Sequence, residues 1–336
     1  MKATRAGILG SALCILTCGG VLGCSDKEDP RPTPSRDGVT ELVLPGNDFY
    51  PEGIAASADN TLYVGSLMTG QIVRVRPGKS EAEEFVAPRT IVTGTVGLYV
   101  QEDKQYLWLC SNVFGTSNAP ELIAVSLSTG QAVHRHVFPA QEGAGSGFCN
   151  EIAQDTAGNL YATDSFLGRI IRVPASRLET DNSAEVWVRD DAFLGPQGQF
   201  GLNGLAYNGA STLYAVKTAD GKLFRIPIGA NGAAGTVQEV VLDRPLVGPD
   251  GLKFSSSVGL VVSEQYASAV SRIALNSDGS GTVTKLVEGL ADPTSVELAE
   301  GSAWVSESQL SHVTGGSNAP PLTLPFHVRR VSLPKQ

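Results

Sequence analysis

The chain has 336 residues, of which 42% are hydrophobic and 18% are charged, and its formal net charge is −9 at pH 7. These values are typical of a globular protein, and the acidic balance without a basic cluster argues against nucleic acid as a partner. The 38 glycines favour turn-rich β structure, and the length fits one large all-β domain.

The N-terminus predicts a lipoprotein signal peptide over residues 1–23. A basic start and an apolar stretch are followed by Val21-Leu22-Gly23-Cys24, which resembles a bacterial lipobox. The apolar stretch is too short for a membrane-spanning helix, so an ordinary cleaved signal is the alternative. In the lipobox interpretation Cys24 becomes the lipidated N-terminus. Ser25 in place of Asp then suggests an outer-membrane lipoprotein on the periplasmic or cell-surface side, attached to the membrane through its lipid.

The segment after Cys24 predicts a spacer. Residues 25–37 contain three prolines and no large apolar residue, so they cannot bury enough surface to become ordered. We therefore expect the lipidated cysteine and a disordered linker over residues 24–38, and a folded domain over residues 39–336.

Two of the five cysteines, Cys110 and Cys149, lie in the predicted folded domain. They can pair in an oxidising compartment or remain buried thiols, and the sequence leaves both states open.

A short signature recurs six times along the chain, and the motif is an apolar residue, any residue, Arg, then Val or Ile. The second copy has Ala in place of Arg. The copies are Ile72–Val75, Leu122–Val125, Ile170–Val173, Leu223–Ile226, Val270–Ile273 and Val328–Val331. Short apolar, β-rich runs precede each copy, and a period of several short strands is typical of propeller blades. The runs are too short and too β-branched for a helical solenoid.

The two ends of the repeat array are complementary. The last unit lacks an outer strand, because only Pro334–Gln336 follow its final apolar run. Val39–Leu44, before the first unit, can fill that place and remove the open sheet edge. The sequence therefore predicts an all-β, six-bladed β-propeller whose N-terminal strand closes the last blade.

A set of polar residues occupies one phase of the repeat, 22 positions before the recurrent Arg. These residues are Glu52, Asn150, Asn203 and Asp250. In a propeller this position precedes the innermost strand, so the four side chains converge at one mouth of the central channel. Two carboxylates and two amide oxygens suit Ca²⁺, and a divalent cation would relieve the repulsion between the carboxylates. The alternative is that these residues cap strand starts and bind channel water.

Short motifs around these residues resemble the gluconolactonase, senescence-marker-protein (regucalcin) and luciferin-regenerating-enzyme family over about residues 42–333. The motifs are Glu52-Gly53, Asn150-Glu151-Ile152, Asn203-Gly204-Leu205 and Pro249-Asp250-Gly251. The resemblance implies that Glu52, Asn150, Asn203 and Asp250 hold a divalent metal, most readily Ca²⁺, and that Asp250 also assists as a catalytic base.

The substrate-binding residues depart from the family pattern. Phe148 stands where the family has an Arg that helps to bind sugar lactones, so a sugar lactone loses a partner and a more apolar ligand is favoured. Thr294 occupies the same phase in the sixth unit and is the second candidate for contact with substrate.

Extra length falls in loops that we expect at the channel mouth, over residues 111–121, 193–200 and 308–325. Such loops form a lid or binding rim, or are mobile decoration. His134, His136 and His312 are expected at the surface.

Three functional hypotheses fit these features. The first is a calcium-dependent lactonase or esterase-type hydrolase outside the cytoplasm, with a small-molecule substrate that is not a sugar lactone. The second is a non-catalytic propeller lipoprotein that binds a ligand or protein and has a structural central metal. The third is a resemblance to metal-free, strictosidine-synthase-type propellers. The fold alone does not choose among them.

Overall fold

The computed structural model of the protein describes residues 35–112, 118–315 and 320–334. Within these ranges the chain forms six antiparallel four-stranded sheets arranged as a propeller. The first strand of each blade contacts the first strand of the next, and the first blade contacts the sixth, which closes the ring. The prediction of a six-bladed β-propeller is confirmed.

The strands of blades 1 to 5 follow chain order from the channel outwards. A preceding strand, β1 (Glu41–Val43), belongs to blade 6. Blade 1 has β2 (Pro51–Ala56), β3 (Leu62–Ser66), β4 (Ile72–Val75) and β5 (Glu83–Val86); blade 2 has β6 (Thr95–Gln101), β7 (Tyr106–Ser111), β8 (Glu121–Ser126) and β9 (Ala132–Val137); blade 3 has β10 (Cys149–Gln154), β11 (Leu160–Asp164), β12 (Arg169–Val173) and β13 (Glu185–Arg189).

The second half of the ring repeats this arrangement. Blade 4 has β14 (Leu202–Tyr207), β15 (Thr212–Lys217), β16 (Lys222–Pro227) and β17 (Gln238–Val240); blade 5 has β18 (Pro249–Ser255), β19 (Gly259–Glu264), β20 (Ala269–Leu275) and β21 (Gly281–Glu288); blade 6 has β22 (Pro293–Ala299), β23 (Ser302–Glu307) and β24 (His327–Ser332), with a short helix, α1 (Ser311–Thr314), between the last two.

The core lies between the blades, so the inner strands are covered on both faces. All five residues of β3 are buried, whereas the outer strand β5 exposes its two glutamates. Adjacent innermost strands approach so closely that a Cβ on Gly204 would lie 2.2 Å from the carbonyl oxygen of Asp250. This contact explains why small residues open the strands that surround the channel.

The last blade is closed by the N-terminal strand, as predicted. Strand β1 pairs antiparallel with β24, with Glu41 opposite Arg329 and Val43 opposite His327. Strand β1 therefore supplies the outer strand of the last blade and joins the two ends of the ring.

The folded part begins earlier than the predicted boundary at residue 39. Arg36, inside the predicted spacer, is 1% exposed and donates hydrogen bonds to the carbonyl oxygens of Asn60, Val75 and Lys79 in blade 1. Its guanidinium also forms a 3.1 Å ion pair with Glu300 in blade 6. Arg36 thus ties the first and last blades together, which composition alone did not reveal. The predicted signal peptide over residues 1–23 and the lipidated Cys24 lie outside the described residues.

Cys110 and Cys149 form a disulfide bond, which answers the question that the sequence left open. The bond joins β7 of blade 2 to β10 of blade 3, next to Asn150. In the part of the chain that the structure describes, no helix has the length and apolar character needed to cross a membrane.

His136 corrects the expectation that the histidines lie at the surface, because its side chain is fully buried. Its Nδ1 accepts a hydrogen bond from the backbone N–H of Ser183, so Nε2 carries the proton and donates to the carbonyl oxygen of Leu178. Burial lowers the pKa of His136, although the hydrogen bond to Leu178 and the charge of Asp181 oppose this. The charged or titratable groups around its ring are Asp181, His134 and Arg177.

Candidate functional site

The innermost strand of each blade begins with a shift in strand register at the same place. In each case the pairing is irregular between the first and fourth residues of the strand. A bulge turns a side chain out of the regular ladder. The residues that follow the first paired residue at these irregularities are Glu52, Val96, Asn150, Asn203, Asp250 and Thr294. The common phase seen in the sequence is therefore a common backbone feature.

The four predicted metal ligands line one cavity of about 450 Å³ at the channel mouth. Phe148 and Val96 line the same cavity. The described residues around it do not include Thr294, which is fully buried and directs its hydroxyl to the carbonyl oxygen of Pro51, 3.4 Å away. The structure therefore does not place Thr294 in contact with a ligand in this cavity, because its polar group is used between neighbouring strands.

The two amide side chains are held through their nitrogen atoms by hydroxyl groups. Nδ2 of Asn203 donates to Oγ1 of Thr218 at 3.0 Å, and this hydroxyl donates to the carbonyl oxygen of Pro249 at 2.8 Å. Because the hydroxyl proton of Thr218 is already used, Thr218 can only accept from Asn203, which fixes the amide orientation. Nδ2 of Asn150 donates to Oγ of Ser165 in the same way, at 3.1 Å.

These hydroxyl partners were missed from the sequence although they follow its phase. Ser165 and Thr218 lie 15 positions after Asn150 and Asn203, at the ends of the second strands. Leu67 and Gln265 occupy the equivalent places after Glu52 and Asp250 and line the cavity. Counting forward from the four polar residues would have found this second set.

The remaining apolar lining comes from loops of unequal length, so no period points to it. Phe200 lies in the predicted loop over residues 193–200, and Leu310 and Val313 lie in that over 308–325. Met68 and Tyr266 follow second strands and also line the cavity. Two of the three long loops thus contribute to the mouth, and residues 113–117 of the third lie outside the described ranges.

The two carboxyl groups of the cavity are buried and lie near other acidic side chains. Burial raises the pKa of Glu52 well above its usual value, and the charges of Asp250 and Glu151 raise it further, while Lys253 lowers it. Burial also raises the pKa of Asp250, with a further contribution from Glu151, and the amide of Asn203 opposes this. A bound cation would oppose these upward shifts, because it would favour the charged forms of both carboxyl groups.

Deeper in the channel a buried ionic cluster separates this cavity from the opposite ends of the innermost strands. Nζ of Lys253 lies 3.4 Å from Glu151 and 3.7 Å from Glu297, and the three residues come from three different blades. A second cavity of about 400 Å³ lies on the far side and is lined by Lys253, Glu297 and Tyr99 among others. The two cavities share no lining residue among those described.

Two unpaired oxygen atoms test whether the residues fit a metal ion. Oε2 of Glu52 and Oδ1 of Asn203 are buried and have no hydrogen-bond partner among the described residues. Buried polar atoms are rarely left unsatisfied, and two of them in one cavity match the oxygen donors that a hard cation requires. Within residues 35–112, 118–315 and 320–334 there is no metal-type group of three or more His, Cys, Asp or Glu side chains. The four candidate ligands comprise two carboxylates and two amides, so they do not form a group of three or more such side chains.

Comparisons with known proteins support the fold. No family model matches the sequence, and no curated protein matches it. Solved structures with a similar fold include a luciferin-regenerating enzyme, with a TM-score of 0.62 and 12% identity over 88% of this chain and 92% of that one. A gluconolactonase from Xanthomonas campestris has a TM-score of 0.58 and 16% identity over 90% and 98%. Virginiamycin B lyase from Staphylococcus aureus has 0.58 and 16% over 87% and 98%.

The first two neighbours carry the names of the family that the sequence motifs resemble. At these identities the similarity shows the propeller fold alone, and the similar structures include a lyase. The chemistry therefore has to be argued from the site.

Proposed function

We propose that the protein is a calcium-dependent hydrolase of lactones or carboxylic esters, with a substrate that is not a sugar lactone. The observation that carries the proposal is the pair of unpartnered oxygens, Oε2 of Glu52 and Oδ1 of Asn203, in a cavity with Asp250 and Asn150. Four oxygen donors with a formal charge of −2 suit a divalent hard cation.

Glu52, Asn150, Asn203 and Asp250 would hold the ion. Glu52 and Asp250 balance its charge, and the two amides add dipoles without adding charge. When bound, calcium supplies Lewis-acid polarisation of the substrate carbonyl.

Asp250 would act as the general base and then as the general acid. Its carboxylate takes a proton from the water whose oxygen attacks the carbonyl carbon, and returns that proton to the leaving oxygen when the C–O bond breaks. Apolar side chains make up much of the cavity lining, which disfavours additional water next to the reacting groups. Phe148, in place of an arginine, offers no hydrogen bond to a hydroxylated ring.

A direct test compares purified protein with and without a chelator on a panel of aliphatic, aromatic and sugar lactones and esters, beside Asp250→Asn. Asp155→Asn is a matched control, because Asp155 is also buried but lies in a turn outside the cavity. We expect calcium-dependent turnover that falls about 100-fold or more in Asp250→Asn, the usual weight of a general base, and persists in the control. Turnover that is unchanged in Asp250→Asn would refute the assignment.

The non-catalytic alternative has its own signature in the same experiment. A protein that binds calcium through these four residues but hydrolyses no member of the panel would be a ligand-binding propeller with a structural metal. Absence of bound ion in the native protein, by elemental analysis, would instead favour a metal-free propeller.

The proposed place of action is the outer membrane, on its periplasmic or cell-surface side. The lipobox-like Val21-Leu22-Gly23-Cys24 supports this location, because the cysteine that receives the lipid in a bacterial lipoprotein is the last residue of the lipobox. Cys24→Ala is expected to move the protein from the membrane fraction to the soluble fraction, and an unchanged membrane fraction would contradict the anchor.

A further inference from the structure

Three phenylalanines form one wall of the channel mouth. The ring of Phe148 lies 5.1 Å from that of Phe200 and 5.4 Å from that of Phe166, and the rings of Phe166 and Phe200 are stacked at 5.0 Å. Phe148 and Phe200 line the cavity, and Phe166 packs against both while 37% exposed. These three residues are called the phenylalanine wall below.

The phenylalanine wall is held by its backbone. The N–H of Phe148 donates to Oδ1 of Asp164 at 2.8 Å, and its carbonyl oxygen accepts from the N–H of Ser165 at 2.9 Å. Asp164 is in turn paired with Arg169 at 2.8 Å, and both are buried. The backbone of Phe148 is therefore held in place, and a preorganised residue lowers the entropy cost of binding a ligand against it.

The rest of the mouth is also apolar and partly exposed. Met68 is 40% exposed, Val313 is 42% exposed and Tyr266 is 68% exposed, and all three line the cavity. A Cβ on Gly248 would lie 2.4 Å from the ring of Tyr266, so glycine there lets the ring lie over the chain next to Pro249-Asp250. Exposed apolar groups gathered at one place mark a binding site more often than scattered ones.

The cavity combines this apolar lining with the polar side chains of the four predicted metal ligands, and its other polar lining residues include Thr218, Gln265 and Thr314. We propose that the substrate is an amphiphilic lactone or ester, whose carbonyl lies near Asp250 and whose apolar chain lies along the phenylalanine wall. A volume of about 450 Å³ suits a small molecule rather than a protein segment. The choice of lactone or ester rests on the proposed function, whereas the apolar chain rests on the phenylalanine wall alone.

The test is a homologous series of γ-lactones with unbranched alkyl chains of increasing length. Each buried methylene is expected to raise kcat/KM about fourfold, corresponding to about 0.8 kcal/mol, until the chain extends beyond the cavity. Phe166→Ala and Phe200→Ala should lower the increment per methylene. Phe85→Ala is the matched control, because Phe85 lies on the outer strand β5, and its increment should equal that of the wild type.

A second measurement separates this proposal from the proposed function. The lactam analogues of the same chain lengths resist hydrolysis, and their affinity can be measured by calorimetry without turnover. Affinity that rises with chain length and falls in Phe166→Ala supports the apolar site even if no lactone is hydrolysed. In that case the absence of hydrolysis would refute the proposed hydrolase activity but not the apolar site. Hydrolysis or affinity that does not depend on chain length would overturn the apolar site, and the hydrolase would stand if turnover persists.

Discussion

Thr218 provides a sharp test of how the cavity keeps its oxygen atoms available. In Thr218→Val the shape of the side chain is kept, but Nδ2 of Asn203 loses its acceptor and the carbonyl oxygen of Pro249 loses its donor. A buried donor left unsatisfied costs about 1–3 kcal/mol, and the amide of Asn203 is then free to rotate, which exchanges the places of its nitrogen and its oxygen. That rotation would replace the ligand oxygen with a donor.

The expected result is a 10- to 100-fold weaker calcium affinity, which is the usual effect of removing a partner that orients a metal ligand. Calorimetric titration of chelator-treated protein measures it, and Thr218→Ser should retain affinity close to that of the wild type because it keeps the hydroxyl. Urea unfolding of both variants without calcium checks that each remains folded. Equal calcium affinity in the wild type and Thr218→Val would refute the assigned role of Asn203 Oδ1.

Three further predictions concern stability. Arg36→Met should lower the free energy of unfolding by about 3–5 kcal/mol, because the carboxylate of Glu300 is left buried without the guanidinium. A loss below about 0.5 kcal/mol, measured by urea unfolding, would contradict the role of Arg36 in joining the first and last blades. Cys110→Ser with Cys149→Ser should cost up to about 4 kcal/mol by chain entropy for a separation of 39 residues, and an unchanged urea midpoint would argue against the bond. Burial lowers the pKa of His136 in the folded state. The stability that its neutral form contributes is therefore present above the usual histidine pKa of about 6.5 and is lost as pH falls below that value. The pH dependence of the free energy of unfolding should flatten in His136→Gln, and a profile identical to that of the wild type would contradict this role of His136.

Much of the fold was predictable because a propeller repeats one local pattern. The recurrent Arg signature set the blade period, and the missing outer strand of the last unit predicted the closing role of β1. The four polar residues were found together because a bulge at one backbone position places each of them. The repeat period therefore allowed both the architecture and the four polar residues of the site to be predicted from the sequence.

The sequence failed where the chain departs from its period. Arg36 lies in a stretch whose composition predicts disorder, but its guanidinium donates four hydrogen bonds to carbonyl oxygens of blade 1 and pairs with Glu300 of blade 6. Thr294 keeps the phase of the four polar residues, yet its short side chain bonds to the neighbouring strand. The phenylalanine wall comes from three segments that only the closed ring brings together.

The most direct measurement of the central claim is a crystal structure of the protein grown with calcium, with anomalous scattering to identify the ion. We predict one calcium ion at the base of the cavity, with side-chain oxygens of Glu52, Asn150, Asn203 and Asp250 each about 2.3–2.6 Å from it. A cavity without an ion under saturating calcium, or an ion bound elsewhere with Oδ1 of Asn203 uncoordinated, would contradict the assignment of these four residues as a metal site.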